Sequence, residues 1–554
     1  MSHPSQILIV ATLAMLLTRG LWRRILSVAA PLAALIVVTQ MPEGAVWTYS
    51  LPGFELQLLQ VDPLSRLFAI VFCMAAALGM LYGWHEEGGG ERAAALGLVA
   101  GALGVVFAGD WLTLFVFWES MTVASVLLIW LGNGPRAQGA GMRYLLMHVL
   151  GGGALLAGIL LHLSSGAPNT FGALTGDGLG PAQWLILLGI LVNAAAPPLH
   201  TWLTDAYPEC SVLGSVVQSA FTTKTAVFVL LRAFPGAEPL ALWGAVMAVY
   251  GVVFAVLEND MRRLLSYHIV SQVGFMLAGI GLGSDMALNG AAAHAFCHIL
   301  YKALLFMGAG ALIYATGKSK LTELGGLARK MPVTMVLFII GAVSISGFPL
   351  FNGFISKTMT IHAAELAHRG WIFKLLELAS VGTFLSIGLK MTYFAFLAPG
   401  PDFKLQPLPK GMTLAMSIAA VLCLLLGVAP QLLYPLLPLR VTYHPYTIAS
   451  VLGALQLHIG AALVFTLLLS ILKPKNALSL DVDWFYRRPF AWLMRQIIAA
   501  CKRFGNAWQG GVLNTVKALD RGDFAAAELR LPVGMTLFWA SLLLVLLGLA
   551  VLSA

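Results

Sequence analysis

Residues 111–131 read WLTLFVFWESMTVASVLLIWL, and near the centre of this otherwise apolar run sits one acid, Glu119. A charged side chain at the middle of a bilayer costs about 3 kcal/mol, so such a residue points to a functional site and calls for a partner. Four lysines also interrupt apolar runs: Lys224 in FTTKTAVFVLL, Lys302 in HAFCHILYKALLF, Lys357 in GFPLFNGFISK and Lys390 in SIGLKMTYFAF. His294, His298 and Lys302 are spaced i, i+4, i+8 and share one helix face. Imidazole titrates near neutrality, so this ladder can pass protons through intervening waters. The same spacing also fits structural hydrogen bonding or a metal pair, although no carboxylate is near in sequence. His268 in LSYHIVSQVGF adds one more ionisable group. At the helical rise, Glu119 and Lys224 lie roughly 13 and roughly 15 Å from the outer surface, so they can meet. The alternative is a structural ion pair that fixes helix packing. For Lys357 the alternative is snorkelling to an interface.

These residues need a membrane-spanning frame. The chain is 59% hydrophobic and only 10% charged, whereas a soluble domain carries about 25% charge. The composition therefore predicts an all-α polytopic membrane protein. Sixteen apolar segments are candidate spans. They include 5–18, 182–204, 212–234, 332–364, 374–398, 411–437 and 533–553. Basic residues cluster in alternate loops, as in Arg19, Arg23, Arg24, then Arg262, Arg263, then Lys318, Lys320, Arg329, Lys330. The positive-inside rule places those loops in the cytoplasm of a bacterial-type inner membrane and both termini outside. The net charge of +9 fits these loops, and no nucleic-acid partner is expected. Cys73, Cys210, Cys297, Cys423 and Cys501 have no paired spacing and read as inert small hydrophobes.

Two spans are interrupted: the seventh by Pro197 and Pro198, the twelfth by Gly347, Pro349 and Gly353. Proline removes a backbone hydrogen bond, and a broken helix at membrane depth survives only when buried or lining a wet cavity. The breaks lie five spans apart. Five is odd, so the two units have opposite topology, as in transporters built from inverted repeats. The expected divisions are N-terminal helices 1–92, a first five-helix repeat 93–234 and a second, inverted repeat 235–398. Core helices 399–475, a lateral amphipathic helix 476–531 and a terminal anchor 532–554 follow. By span count, Lys224 and Lys390 fall at equivalent positions of the repeats.

Five ordered motifs, FVFWES, PPLHTWLTDAYPECS, DMRRLLSYHIVSQVGFM, HAFCHILYKALLFMGAGALIYATG and GFPLFNGFISK, resemble the antiporter-like subunits of respiratory complex I and the D subunit of Mrp-type cation/proton antiporters. The resemblance implies about 14 core helices in two inverted five-helix repeats with helices 7 and 12 broken. It implies a proton-translocation relay of Glu119, Lys224, His268, His294, His298, Lys302, Lys357 and Lys390. It also implies a short version of a lateral helix after DWFYRRPF. The family usually pairs its helix-5 glutamate with a helix-7 lysine, where this chain has Asn193. Glu119 is then expected to depend on Lys224, directly or through water.

The expected function is proton translocation, with Na⁺ or K⁺ left open, by one membrane subunit of a complex I-like or Mrp-like assembly. No cofactor and no metal are expected. CxxC, dinucleotide-binding and Walker motifs are missing from the sequence, so any redox chemistry of an NADH/quinone-type or hydrogenase-type translocase belongs to partners. The rivals are a non-conducting scaffold, which Asn193 favours, and a proton-coupling subunit of an inorganic-carbon uptake system.

Overall fold

The computed structural model describes residues 3–503, apart from 52–53, 87, 133, 175–177, 477–479, 491, 494, 498 and 500. Two helices, α1 (Pro4–Leu17) and α2 (Gly20–Gln40), lead into a hairpin of β1 (Val46–Leu51) and β2 (Phe54–Gln60). Then come α3 (Pro63–Tyr82), α4 (Gly89–Phe107), α5 (Trp111–Trp130) and α6 (Pro135–Ser164). The seventh span is split into α7 (Pro181–Asn193) and α8 (Thr201–Ala206), and the eighth into α9 (Val212–Ala220) and α10 (Thr222–Ala233). A second series follows: α11 (Glu238–Leu257), α12 (Met261–Leu282), α13 (Asp285–Thr316), α14 (Pro332–Ser346), α15 (Asn352–Leu366) and α16 (Gly370–Thr383). The last of these runs on as π-helix over Phe384–Met391 and Tyr393–Leu397. Helices α17 (Lys410–Val428) and α18 (Ile448–Leu467) close the main unit, Met1–Ser479.

Twelve helices among the described residues are long and apolar enough to cross a membrane. The chain is a multi-pass membrane protein. Within it, the spanning window of α12 is 100% buried and that of α13 94%, against 17% for α18. The two helices that carry the histidines are therefore the axis of the fold.

The two series repeat one another down to their hydrogen bonds. Asp110 caps α5 by accepting from the Thr113 N–H at 2.9 Å, and Asp260 caps α12 by accepting from the Arg262 and Arg263 N–H groups. Each aspartate also bridges to the loop after the next helix but one, Asp110 to Thr170 and Asp260 to Lys320. Trp111 N donates to Asn169 O and Met261 N to Ser319 O; Phe171 N donates to Gly109 O and Leu321 N to Asn259 O. Every such pair is 150 positions apart, and five spans later the chain enters from the other side.

The breaks have local causes. After α7, Ala195 sits at φ 54° and the Pro197–Pro198 pair supplies no N–H. Helix α14 ends on Gly347 at φ 77°, a conformation that costs glycine nothing. At Gly353 a Cβ would lie 1.7 Å from the Ser344 carbonyl oxygen, so only glycine lets α15 start against the end of α14.

The membrane-spanning part is helical, as expected, with one short antiparallel strand pair, Val46–Leu51 and Phe54–Gln60, beside it. The expected span 212–234 is a single apolar span whose helix is interrupted at Phe221 (φ −104°, ψ −68°). Two expectations are corrected. The segment 411–437 ends as α-helix at Val428, because Pro430 and Pro435 turn it into short 3-10 turns. Lys390 is not the counterpart of Lys224 by contact. Its Nζ donates to Val256 O (2.5 Å) and Glu258 O (3.0 Å) at the end of α11. In the first repeat the carbonyl equivalent to that of Glu258, Ala108 O, is reached by Arg232 Nη1 at 3.4 Å.

The second unit, Leu480–Ala554, is described only to residue 503. It opens with a helical turn at Asp483–Phe485 that continues as π-helix over Tyr486–Phe490, and Arg487 Nε meets Asp483 Oδ2 at 2.9 Å. The described residues between 492 and 503 are helical, and the expected lateral helix beyond 503 and the terminal anchor 532–554 lie outside the described residues.

Candidate functional site

In the first repeat, α5 carries Glu119 against α6. The space it fills exists because residue 152 is glycine: a Cβ there would sit 2.1 Å from Glu119 Oε1. Glu119 Oε1 is buried and has no hydrogen-bond partner among the described residues, and the same holds for both amide atoms of Asn193 at the end of α7. An orphaned buried polar atom costs about 1–3 kcal/mol, so protein interiors supply water to such atoms. Lys224 lies fully buried just past the α9–α10 break. Its Nζ donates to Ser219 O at 2.6 Å and Thr223 Oγ1 at 3.0 Å. Glu119 and Lys224 thus form no direct ion pair.

Near these two lies a group of residues that are not conspicuous in the sequence. Ser125 Oγ, Tyr144 OH, Tyr207 OH, Gln218 Oε1 and Thr222 Oγ1 are all buried, and none is closed by a tight hydrogen bond among the described residues. Tyr144 neighbours Ser125, Thr222 and the Glu119 charge, and Tyr207 neighbours Thr222. Gln218 Nε2 donates to Ser125 O at 2.9 Å. The signal was present in the run SVVQSAFTTK, where hydroxyls and an amide fill a span up to Lys224.

In the second repeat, α13 presents His294, His298 and Lys302, each fully buried. His294 Nδ1 lies 3.1 Å from Ser356 Oγ, and its ring centroid 6.2 Å from that of His298. Both ring nitrogens of His298, and Lys302 Nζ, have no hydrogen-bond partner among the described residues. Lys302 Nζ stands 5.7 Å from the centre of the Phe306 ring. His268 Nε2 is 2.7 Å from Ser386 Oγ on the π-helical segment. Lys357 Nζ donates to Ile345 O at 2.8 Å and sits 4.8 Å from the Phe275 ring centre. Lys224 lies within electrostatic reach of His294, His298 and Lys302, and Lys302 and Lys357 lie within electrostatic reach of His268. The structure thus buries seven of the eight expected residues and leaves Glu119 half-buried; Lys390 is held at the end of α11 and touches none of the others. Among the described residues no three His, Cys, Asp or Glu are placed to hold a metal.

The series from Glu119 to Lys357 has polar surroundings at both ends. Lys357 lines a cavity of about 700 Å³ that also holds Ser380, Glu377 and the exposed His362–Glu365 pair. At the other side, the α3–α4 loop carries Glu86, whose carboxyl is pushed up to about 8 by burial and by the neighbouring Glu91. Glu91 accepts hydrogen bonds from the Ser211 hydroxyl and from Gly214 N at 3.1 Å, at the start of α9, the half-helix that leads to Lys224.

Fold and site together define a polytopic membrane protein of two inverted repeats around a buried axis of acid, lysine and histidine. A model of the family described as NADH:quinone oxidoreductase/Mrp antiporter, TM matches residues 108–386, half of the chain. The chain belongs to this family. It is homologous to the antiporter-like subunits of Mrp and complex I assemblies. It is 31% identical over 423 residues to a Na(+)/H(+) antiporter subunit of Alkalihalophilus pseudofirmus, covering 67% of this chain and 52% of that one. It is 28% identical over 517 residues to hydrogenase-4 component B of Escherichia coli, covering 83% of this chain and 75% of that one. A chain of the membrane-bound sulfane sulfur reductase, an archaeal respiratory membrane complex, superposes with a TM-score of 0.71 at 23% identity over 99% of each chain.

Proposed function

We propose that this chain conducts protons across the membrane as one subunit of a larger membrane assembly. The observation that carries this reading is the series of ionisable side chains from half-buried Glu119 to buried Lys357, in which Glu119 Oε1, both ring nitrogens of His298 and Lys302 Nζ lack protein partners among the described residues. Structural ion pairs would be closed with opposite charges; these groups are not. Membership of a family that includes a Na(+)/H(+) antiporter subunit supports the reading, as does likeness to a chain of a respiratory membrane complex.

The proposed route begins at the basic-loop side, taken as cytoplasmic. It enters the first repeat, 93–234, at α9 and reaches Lys224. Waters held by Ser125, Tyr144, Tyr207 and Thr222 couple Lys224 to Glu119, taking the place of the helix-7 lysine. In the second repeat, 235–398, the proton passes through His298, Lys302 and His268, and Lys357 delivers it to the outer cavity. Coulomb coupling between such sites reaches a few kcal/mol at separations of several Å, enough to switch a proton site. Lys390 holds the end of α11 beside this route.

The test is proton flux in proteoliposomes bearing the native assembly. Loss of flux in Glu119→Gln and in Lys302→Ala, with assembly intact, supports conduction. Wild-type flux in both favours the scaffold reading, which Asn193 also fits.

A further inference from the structure

We infer that His458 on α18 is the group that takes the proton from Lys357 and passes it to the outer cavity. The inference rests on the conduction reading above and concerns a helix outside the matched family residues, 108–386.

The argument starts at the end of α14. Once the helix stops, Gly347 N returns to Ser344 O and Phe348 N to Val343 O. The carbonyls of Ile345 and Ser346 are left without a helical partner, as at any helix C-terminus, and that end carries partial negative charge. Three side chains reach these neighbouring carbonyls, one of them Ser380, whose Oγ donates to Ser346 O at 3.5 Å. Lys357 Nζ donates to Ile345 O at 2.8 Å, and His458 Nε2 lies 3.3 Å from Ser346 O. The break thus sets the last lysine of the line beside a histidine from a different element.

The histidine is built to hold a variable number of protons. Its other nitrogen, Nδ1, lies 2.5 Å from Ala454 O, so both ring nitrogens face carbonyl oxygens. A carbonyl oxygen only accepts. A neutral imidazole has one N–H and serves one of them; the imidazolium has two and serves both. Phe384 and Phe348 hold the ring in place, with centroids at 4.6 and 5.3 Å. His458 and Lys357 line the same cavity of about 700 Å³. In the transfer an N–H bond of the Lys357 ammonium breaks and an N–H bond forms on His458, directly or through one cavity water. Lys357 is left neutral and is reprotonated from the Lys302 side. The imidazolium then releases its proton into the cavity. The other titratable groups facing it there are Lys357, His362 and Glu365 from α15, Glu377 from α16, and Tyr443 and His444 from the segment before α18.

The experiment measures proton flux of the native assembly in proteoliposomes against outer pH, for wild type, Lys302→Ala, His458→Gln and His458→Arg. Glutamine keeps a donor toward Ser346 O but cannot shuttle. Arginine keeps donor and charge but does not release a proton. If His458 is the acceptor, both variants lose flux about tenfold or more and lose the dependence of wild-type flux on outer pH. A packing role predicts that whichever variant assembles runs like wild type. Loss of flux in Lys302→Ala with wild-type flux and pH profile in the His458 variants overturns the inference and leaves the conduction reading standing. Wild-type flux in Lys302→Ala as well overturns both.

Discussion

At the scale of single residues, Glu119 shows how an acid is accommodated where none is expected. Its room is supplied by Gly152 on the facing helix rather than by a countercharge. Gly152→Ala drives a methyl group into the carboxylate, whereas Gly153→Ala next to it meets nothing within 4 Å. We expect Gly152→Ala to reduce proton flux about as far as Glu119→Gln, with Gly153→Ala indistinguishable from wild type. Equal flux in both glycine variants would mean that the position of the carboxylate is immaterial. Glu119, Lys224 and the α13 ladder were legible in the sequence because a charge in an apolar run is conspicuous. The hydroxyls of Ser125 and Tyr144 were not, because single hydroxyls are common in spans and only the fold gathers them with Thr222. His458 was not for the same reason: a lone histidine on an apolar helix has no spacing to read.

At the scale of elements, proline and glycine announced the two breaks that the structure contains after α7 and α14. The break at Phe221 had no such marker. It follows from how α9 and α10 pack, with Lys224 satisfied by the Ser219 carbonyl that the break frees. The strand pair Val46–Leu51 and Phe54–Gln60 carries its own sequence signal, a Pro-Gly dipeptide between two short alternating runs, but it is too brief to stand out in a chain dominated by spans. Of the two breaks, the second has the tighter requirement. Gly353→Ala places a Cβ 1.7 Å from backbone oxygen, which no side-chain rotation relieves. We expect α14 and α15 to be pushed apart, Lys357 to lose the Ile345 carbonyl, and the detergent-solubilised assembly to melt several degrees lower with flux abolished. Gly453→Ala on α18 has open space around it and is the control. An unchanged melting temperature in Gly353→Ala would show that the half-helices tolerate separation.

At the scale of the whole molecule, the question is whether the repeats form two conduits or one. The hydrogen bonds that fix the N-termini of α5 and α12 are the same at a constant offset, so each repeat has the scaffold for its own path. Their contents differ. At the position of His298 the first repeat has His148, stacked on Tyr144 at 3.8 Å, and at the position of Lys302 it has Gly152. The lysine of one ladder is replaced by the space that takes the acid of the other. This division of parts favours a series arrangement, in which the first repeat loads and the second releases. A series conduit has a signature in a double-mutant cycle. Glu119→Gln and Lys357→Met should each reduce flux, and the double variant should fall no further than the worse single variant, because one closed gate already stops the line. Two parallel conduits predict instead that each single variant keeps a partial flux and that the losses sum in the double variant. Measuring the four flux values in one preparation of the native assembly separates the two, and a summed loss would split the line at the Lys224–His298 junction into independent halves.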